Sequence, residues 1–411
     1  MRIIASVFTL SIISFCSLAA QNAPTFGIKF SGYVRTDVIY DTRQSATANG
    51  LREGHFYLFP DNALFDADSV DINANPSFHI LSIQTRLRGD ITGPDAFGAK
   101  TSGVIEAEFF GTSEADLNGF RLRHAFTKLD WKKSSLLIGQ TWHPIFPTDC
   151  FPGTVSFNTG APFTPFSRNP QIKFTYRPGK LSASVTAYSQ RDFTSTGPDG
   201  SANKYMRNSG LPGLNAQVKI PLTANGFALI GGDYKTIRPE LRTAANFENP
   251  NTLGSLAGFA TFHLKTKPVS LTMMGAYVQN ATDLVMIGGY GVADIIDPVT
   301  GVRTFANLTT ASGWLDLYTN GEKFQAGLFA GYSKNLGSAA EFSGPLYGRG
   351  TNIDYLARIS PRLMVTNEKF TIAAEFETTI AAYGKADTFG EVINTNPVTN
   401  FRILLAAIYK F

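Results

Sequence analysis

The chain has 411 residues, with 36 Lys+Arg against 32 Asp+Glu, 17% charged, 43% hydrophobic and 12% aromatic residues, at a mean hydropathy of −0.03. Little charge and many aromatics exclude a disordered chain, and the small net charge of +4 gives no surface for nucleic acid. Membrane helices are excluded as well: only Ile3–Ile28 is long and uncharged enough, and Cys150–Ser167 is broken by Pro152, Pro162 and Pro165.

The first element is a signal peptide over residues 1–20. Arg2 is its charged start, Ile3–Phe15 its apolar run, and Ser17–Ala20 its small-residue cleavage zone. Removal leaves residues 21–411 as a single domain, exported, with Cys150 its lone cysteine and so no internal disulfide.

From Gly27 onward the chain alternates polar and apolar residues with period two. Sixteen segments follow: Gly27–Asp41, Phe78–Thr92, Lys100–Thr112, Gly119–Trp131, Ser135–His143, Pro170–Pro178, Leu181–Phe193, Leu211–Ile220, Phe227–Ile237, Ser255–Lys265, Val269–Asn280, Leu308–Tyr318, Lys323–Asn335, Asn352–Val365, Phe370–Gly384 and Val398–Phe411. In the second, Leu81, Ile83, Thr85, Leu87 and Ile91 fall on the apolar face, and Gln84, Arg86, Arg88 and Asp90 on the polar one. In the fifteenth, Ile372, Phe376 and Ile380 alternate with Glu375 and Glu377.

Short turns such as Lys132–Ser134, Pro178–Lys180 and Asn320–Glu322 alternate with long links such as Thr42–Ser77 and Pro144–Asn169. The Asn-Gly pairs among the turns are expected to supply positive φ. Turns at one end and long loops at the other predict an all-β fold: a transmembrane antiparallel β-barrel of 16 strands, with short periplasmic turns and long extracellular loops. A sandwich core could not bury a polar face this rich in Arg and Glu, whereas a water-filled lumen would hydrate it. Phe30, Tyr40, Phe109, Phe120, Trp131, Tyr176, Tyr409 and Phe411 near strand ends fit an interfacial girdle. Location in an outer membrane, surrounded by its lipid, follows.

Sixteen strands enclose more space than side chains fill. The polar face then lines the pore with Arg35, Arg86, Arg88, Arg121, Arg123, Lys173, Arg177, Lys219, Lys235, Arg358, Arg362 and Arg402, against Asp37, Asp90, Glu106, Glu108, Asp233, Asp316, Glu375 and Glu377. Twelve cations against eight acids favour anions, unless the charges pair across strands and stiffen the wall. The apolar link Pro144–Asn169 carries Phe146, Phe151, Phe157, Phe163 and Phe166 with only Asp149 and Arg168 charged. Exposure would be costly, so it is expected to fold inward as a constriction loop, or else to pack on a neighbouring subunit. Cys150 within it reads as buried and inert.

Three motifs carry a family resemblance: Arg121-Leu122-Arg123-His124-Ala125-Phe126, Ile138-Gly139-Gln140-Thr141-Trp142, and Phe163–Pro170. With Gly32–Asp37 and terminal Phe411, they resemble the DcaP-like outer-membrane porins. The resemblance implies a sixteen-stranded homotrimeric channel taking up small anionic solutes such as dicarboxylates, with Arg35, Arg121 and Arg123 lining its pore. The chain departs in lacking the N-terminal coiled-coil segment of some members. The apolar stripe ending in Tyr409 and Phe411 resembles the signal read by the barrel-assembly machinery.

The expected function is therefore a porin: passive diffusion of small hydrophilic solutes, with no cofactor and no catalysis. The alternatives are a barrel adhesin or receptor working through its loops, and an outer-membrane hydrolase. Against the latter, none of His55, His79, His124, His143 and His263 sits in a recognisable Ser–His–acid arrangement. His124, following Arg123, is expected to point outward. Asp61, Asp66, Asp68 and Asp71 in the first loop are a weak Ca²⁺ candidate without EF-hand spacing.

Overall fold

The computed structural model describes residues 26–47, 55–111, 116 and 118–411. The signal-peptide segment 1–20 lies outside them. Sixteen wall strands run in chain order: β1 Gly27–Asp41, β2 in two pieces (Ser77–Leu81 and Arg86–Thr92), β3 Lys100–Glu108, β4 Arg121–Asp130, β5 Ser134–Trp142, β6 Arg168–Tyr176, β7 Ser182–Tyr188 and β8 Gly213–Thr223. The second half continues with β9 Gly226–Ile237, β10 Leu253–Lys265, β11 Val269–Gln279, β12 Thr309–Thr319, β13 Phe324–Asn335, β14 Ile353–Asn367, β15 Phe370–Ala386 and β16 Val392–Lys410. Each pairs antiparallel with the next, and β16 closes on β1 through Arg35↔Ile408 and Asp41↔Arg402. Closure removes the edges that an open sheet would expose, so every wall strand has a partner on both sides.

Alternation sorts the residues as the sequence predicts. In β15, Ile372 and Phe376 are exposed while Glu375 and Glu377 are buried. In β16, Phe401, Ile403 and Leu405 face out and Arg402, Leu404 and Ala406 face in. A barrel whose outer wall is this apolar suits a lipid surround.

Two bulges overturn face assignments. β1 pairs Asp37 with Leu81 but Tyr33 with Arg86, so β2 carries one extra residue between its pieces. A single insertion flips side chains to the other face. Phe78 and Ile80 therefore face out, whereas Leu81 faces in and Ile83 is buried, against the continuous stripe expected from period two. In β4 the register shifts between Glu106/Ala107 and their partners, so Arg123 and His124 both turn inward. His124 is 5% exposed and stands edge-on to Trp142, not outward.

The turns hold a second correction. Positive φ falls on Gly98, Gly179 and Glu368, not on the Asn-Gly pairs. Gly321 is required for a different reason: a Cβ there would lie 2.1 Å from the carbonyl oxygen of Phe324. β15 and β16 also run past their predicted ends, leaving only 387–391 as their loop. Pro397 is tolerated inside β16 because, in that stretch, the strand pairs with β15 alone.

The long connections at the opposite end fold over and into the barrel. A three-stranded sheet of Gly288–Asp297, Val302–Asn307 and Leu346–Arg349 caps one side, over a cluster of Tyr188, Tyr205, Tyr290 and Phe305. The loop between β5 and β6, here loop 3, is buried along most of its length: Phe146, Phe157, Phe163 and Phe166 belong to the core, while Phe151 is 45% exposed. Two further segments join it inside: His55–Pro60 of the loop between β1 and β2 (loop 1), and Ala281–Ile287 between β11 and β12.

Candidate functional site: the charged lumen and its loops

Cross-strand pairing builds the first charged cluster. β2 and β3 place Arg86 opposite Glu108 and Arg88 opposite Glu106; β4 places Arg121 opposite Glu108. Around this frame Arg86 lies 3.0 Å from Glu108, Arg88 3.2 Å from Glu106, and Arg123 2.8 Å from Glu106 while also pairing with Glu108. Arg168, at the end of loop 3, lies 3.4 Å from Glu108 and 2.7 Å from Asp192; Arg121 also pairs with Asp192. The guanidiniums of Arg123 and Arg168 stand over the Trp142 ring, 5.5 and 5.3 Å from its centroid. Planar, forked cations meet several carboxylates and an aromatic face at once, which ammonium groups do poorly.

The second cluster holds loop 3. Arg35 pairs with Asp37 at 2.7 Å and donates to the Val155 carbonyl at 2.6 Å. Arg358 reaches Glu377 at 3.4 Å and donates to the carbonyls of Ala161 and Leu58. Arg362 pairs with Asp316 at 2.6 Å, and Asp316 accepts the Gly153 N–H at 2.8 Å. Glu375 accepts the Val155 N–H, and Asn158 donates to Glu377. Arg402 pairs with Asp41 at 2.7 Å. The loop's buried backbone groups thus find partners among wall charges, as buried polar groups must.

This changes the charge balance read from strands alone. Asp41, Asp130, Asp149, Asp192 and Asp283 supply partners that the wall pattern did not include: Lys219 meets Asp149 at 2.5 Å, Arg177 meets Asp130 at 3.3 Å, and Lys235 meets Asp283. Arg35, Asp37, Glu106, Glu108, Arg123, Arg358, Arg362, Glu375, Glu377 and Arg402 are all buried. Loop atoms and carboxylates surround them, where lumen water was expected to hydrate them. Lys173 differs. It faces a cavity of about 350 Å³ shared with Arg88, His124, Trp142 and Phe146, with the Gln217 side-chain amide 3.2 Å away.

Other predicted residues stand apart from the lumen. The Asp71 carboxylate is bound by Arg43 at 2.7 Å and by the N–H groups of Leu64 and Asn73, and Arg43 holds its pKa below the usual carboxylate range. Asp66 accepts the N–H groups of Asp68 and Val70. With Asp61 they form no group that could hold Ca²⁺; among the described residues no cluster of three metal-ligating side chains exists. Tyr409 and Phe411 are half exposed at the barrel seam, where the Phe411 N–H donates to the Gly32 carbonyl at 3.1 Å. Cys150 is 1% exposed; its thiol donates to the Phe262 carbonyl at 3.4 Å, and burial pushes its pKa up.

Sequence reasoning missed loop 1. The run His-Phe-Tyr-Leu-Phe at 55–59 carried the signal used for loop 3, an apolar stretch in a link with no lipid to face. It also missed Asp283, which lies outside the strands, and Asp192, which falls in the expected segment Leu181–Phe193 but past the observed end of β7 at Tyr188.

Residues 18–195, a little under half of the chain, match the family profile described as DcaP outer membrane protein. No curated protein matches in sequence. Among solved structures, the crystal structure of the outer membrane channel DcaP of Acinetobacter baumannii matches with a TM-score of 0.68 at 18% identity, over 94% of this chain and 97% of that one. Outer-membrane expressed OmpT of Vibrio cholerae matches with 0.55 at 9% identity, over 95% and 99%. Salmonella typhi OmpF in complex with daunomycin matches with 0.52 at 11% identity, over 93% and 97%. At these identities the likeness is one of fold. Closed wall, charged lumen and inserted loops define the class: an outer-membrane barrel of the porin kind. Over residues 18–195 the chain is similar to the DcaP outer membrane proteins; the motifs Arg121–Phe126 and Ile138–Trp142 both lie inside the matched stretch.

Proposed function

We propose that this protein is a passive diffusion channel for small hydrophilic solutes, with a preference for anions of the dicarboxylate kind. The observation that carries the reading is the arginine wall. Arg86, Arg88, Arg121, Arg123 and Arg168 gather around Asp90, Glu106, Glu108 and Asp192, leaving one positive charge over, with Lys173 beside them. In a narrow passage with low-dielectric walls, even a one-charge excess biases which ions enter. Near-complete pairing keeps that bias modest. Loop 3, with Phe146, Asp149, Phe151, Phe157, Phe163, Phe166 and Arg168, is the constriction, and Arg88 and Lys173 face the open space beside it, while the buried arginines and carboxylates set the field behind. The chain works as a homotrimer in outer-membrane lipid, exported by residues 1–20 and assembled through the stripe ending in Tyr409 and Phe411. It carries out no catalysis.

Purified protein in a planar bilayer is expected to give stepwise conductance, and a reversal potential of anion-selective sign in a salt gradient. Replacing Arg121 and Arg123 by Ala should lower that potential. Silent bilayers would overturn the channel reading. A potential unmoved by both substitutions would make the two arginines wall struts only.

A further inference from the structure

Residues 55–60 of loop 1 are seated inside the barrel as firmly as loop 3. Its return strand Tyr57–Pro60 pairs with Ser45–Thr47, and Tyr57 and Leu58 are fully buried. The Tyr57 ring lies 4.1 Å from the Arg402 guanidinium and 4.8 Å from that of Arg358. Its carbonyl accepts from Asn158 of loop 3 at 3.2 Å, and the Pro60 carbonyl accepts from the Tyr383 hydroxyl at 2.6 Å. Phe56 sits edge-on among Phe110, Phe157, Phe166 and Phe193. With the Arg358 guanidinium donating to the Leu58 carbonyl at 2.5 Å, ring contacts and single hydrogen bonds to wall and loop 3 hold the seated residues.

His55 sets a condition on that seating. It is 2% exposed, with Phe157 and Phe110 ring centroids at 4.8 and 5.3 Å. Neither ring nitrogen has a hydrogen-bond partner. The charged groups facing it are Arg35 from β1, Arg402 from β16 and Glu108 from β3. Two are cations, and Glu108 already serves Arg86, Arg123 and Arg168. The groups in ring contact, Phe56's neighbours Phe110 and Phe157, offer no acceptor. A proton on His55 would be an unpaired charge in a phenylalanine box, a costly arrangement.

We propose that residues 55–60 of loop 1 are a second constriction, packed on loop 3, that stays in the lumen while His55 is neutral and leaves it when His55 takes a proton. The proposal rests on the channel reading. Burial brings the seated imidazole down to about 3 from its ordinary 6.5. The released loop titrates near the ordinary value, so it binds the proton first and acid favours release. Between pH 7 and pH 5 the ratio of seated to released loop should fall roughly 20-fold, and all of the stabilisation is present above about pH 6.5.

The test is single-channel recording of the full-length protein while the loop-side solution is taken from pH 7.5 to pH 5. Wild type should show a reversible rise in conductance. His55→Phe, which fills the box without a proton site, should lose the rise; His263→Gln should keep it. Stepwise conductance at pH 7.5 reports on the channel reading alone, so the two can fail separately. An equal rise in His55→Phe, or none in wild type, overturns the proposal. If His55→Phe fails to fold, ¹⁵N-histidine spectra of wild type decide: the His55 ring must titrate over the range in which conductance rises. A ring still neutral when the channel has opened overturns the proposal.

Discussion

Glu108 shows what one residue decides in this barrel. It is fully buried and accepts from Arg86, Arg123 and Arg168, so its loss strands several guanidiniums away from water. Breaking a buried ion pair on one side costs about 3–5 kcal/mol. Glu108→Gln should therefore lower the urea midpoint of the detergent-solubilised barrel and move its reversal potential further toward anions; an unchanged midpoint would mean that water already solvates the cluster. Cys150 gives a chemical prediction at the same scale. Its thiol is buried and its pKa raised, so little thiolate forms at pH 8. Iodoacetamide should leave the folded protein unlabelled and add one label after unfolding, as read by mass. Rapid labelling of the folded state would place the thiol at an accessible surface.

At the scale of elements, loop 3 is held by wall carboxylates that accept its backbone N–H groups, Asp316 from Gly153 and Glu375 from Val155. An N–H left unpaired in a buried site costs about 1–3 kcal/mol. Glu375→Ala should loosen the loop, raising both mean conductance and open-channel noise, whereas a quiet trace of wild-type size would mean that the other anchors suffice. The wall strands were legible from alternation because lipid and lumen impose opposite polarity on neighbouring residues. Bulges were not. One extra residue between Leu81 and Arg86 reversed the expected faces before Arg86, and one at Arg123 turned His124 inward. Their positions depend on register with the neighbouring strand, which a single strand's pattern does not contain.

At the scale of the molecule, the lumen is divided by three inserted segments packed on one another. The Phe166 N–H donates to the Leu284 carbonyl, Asn158 donates to the Tyr57 carbonyl, and aromatic contacts join Phe56 to Phe157 and Phe166. A barrel of this strand number alone would be wide. Filling it narrows the interior and makes what stays open a property of loops and wall together. It also explains why so many charges can be buried: besides wall partners, Arg35, Arg358, Arg362, Arg402 and Glu375 or their partners meet a backbone group or an aromatic face brought in by a loop.

Length, weak net charge and strict alternation determined the closed barrel, its strand count and which face most residues take, because a lipid-bound wall must pair every backbone group and separate polar from apolar side chains. They also marked Pro144–Asn169 as an inward loop, since so many phenylalanines cannot stay in water. Only the tertiary structure decided that Asp41, Asp192 and Asp283 offset the arginine excess and that His55–Pro60 fills the lumen beside loop 3. Those contacts join residues far apart in the chain, and closure of the barrel is what brings them together.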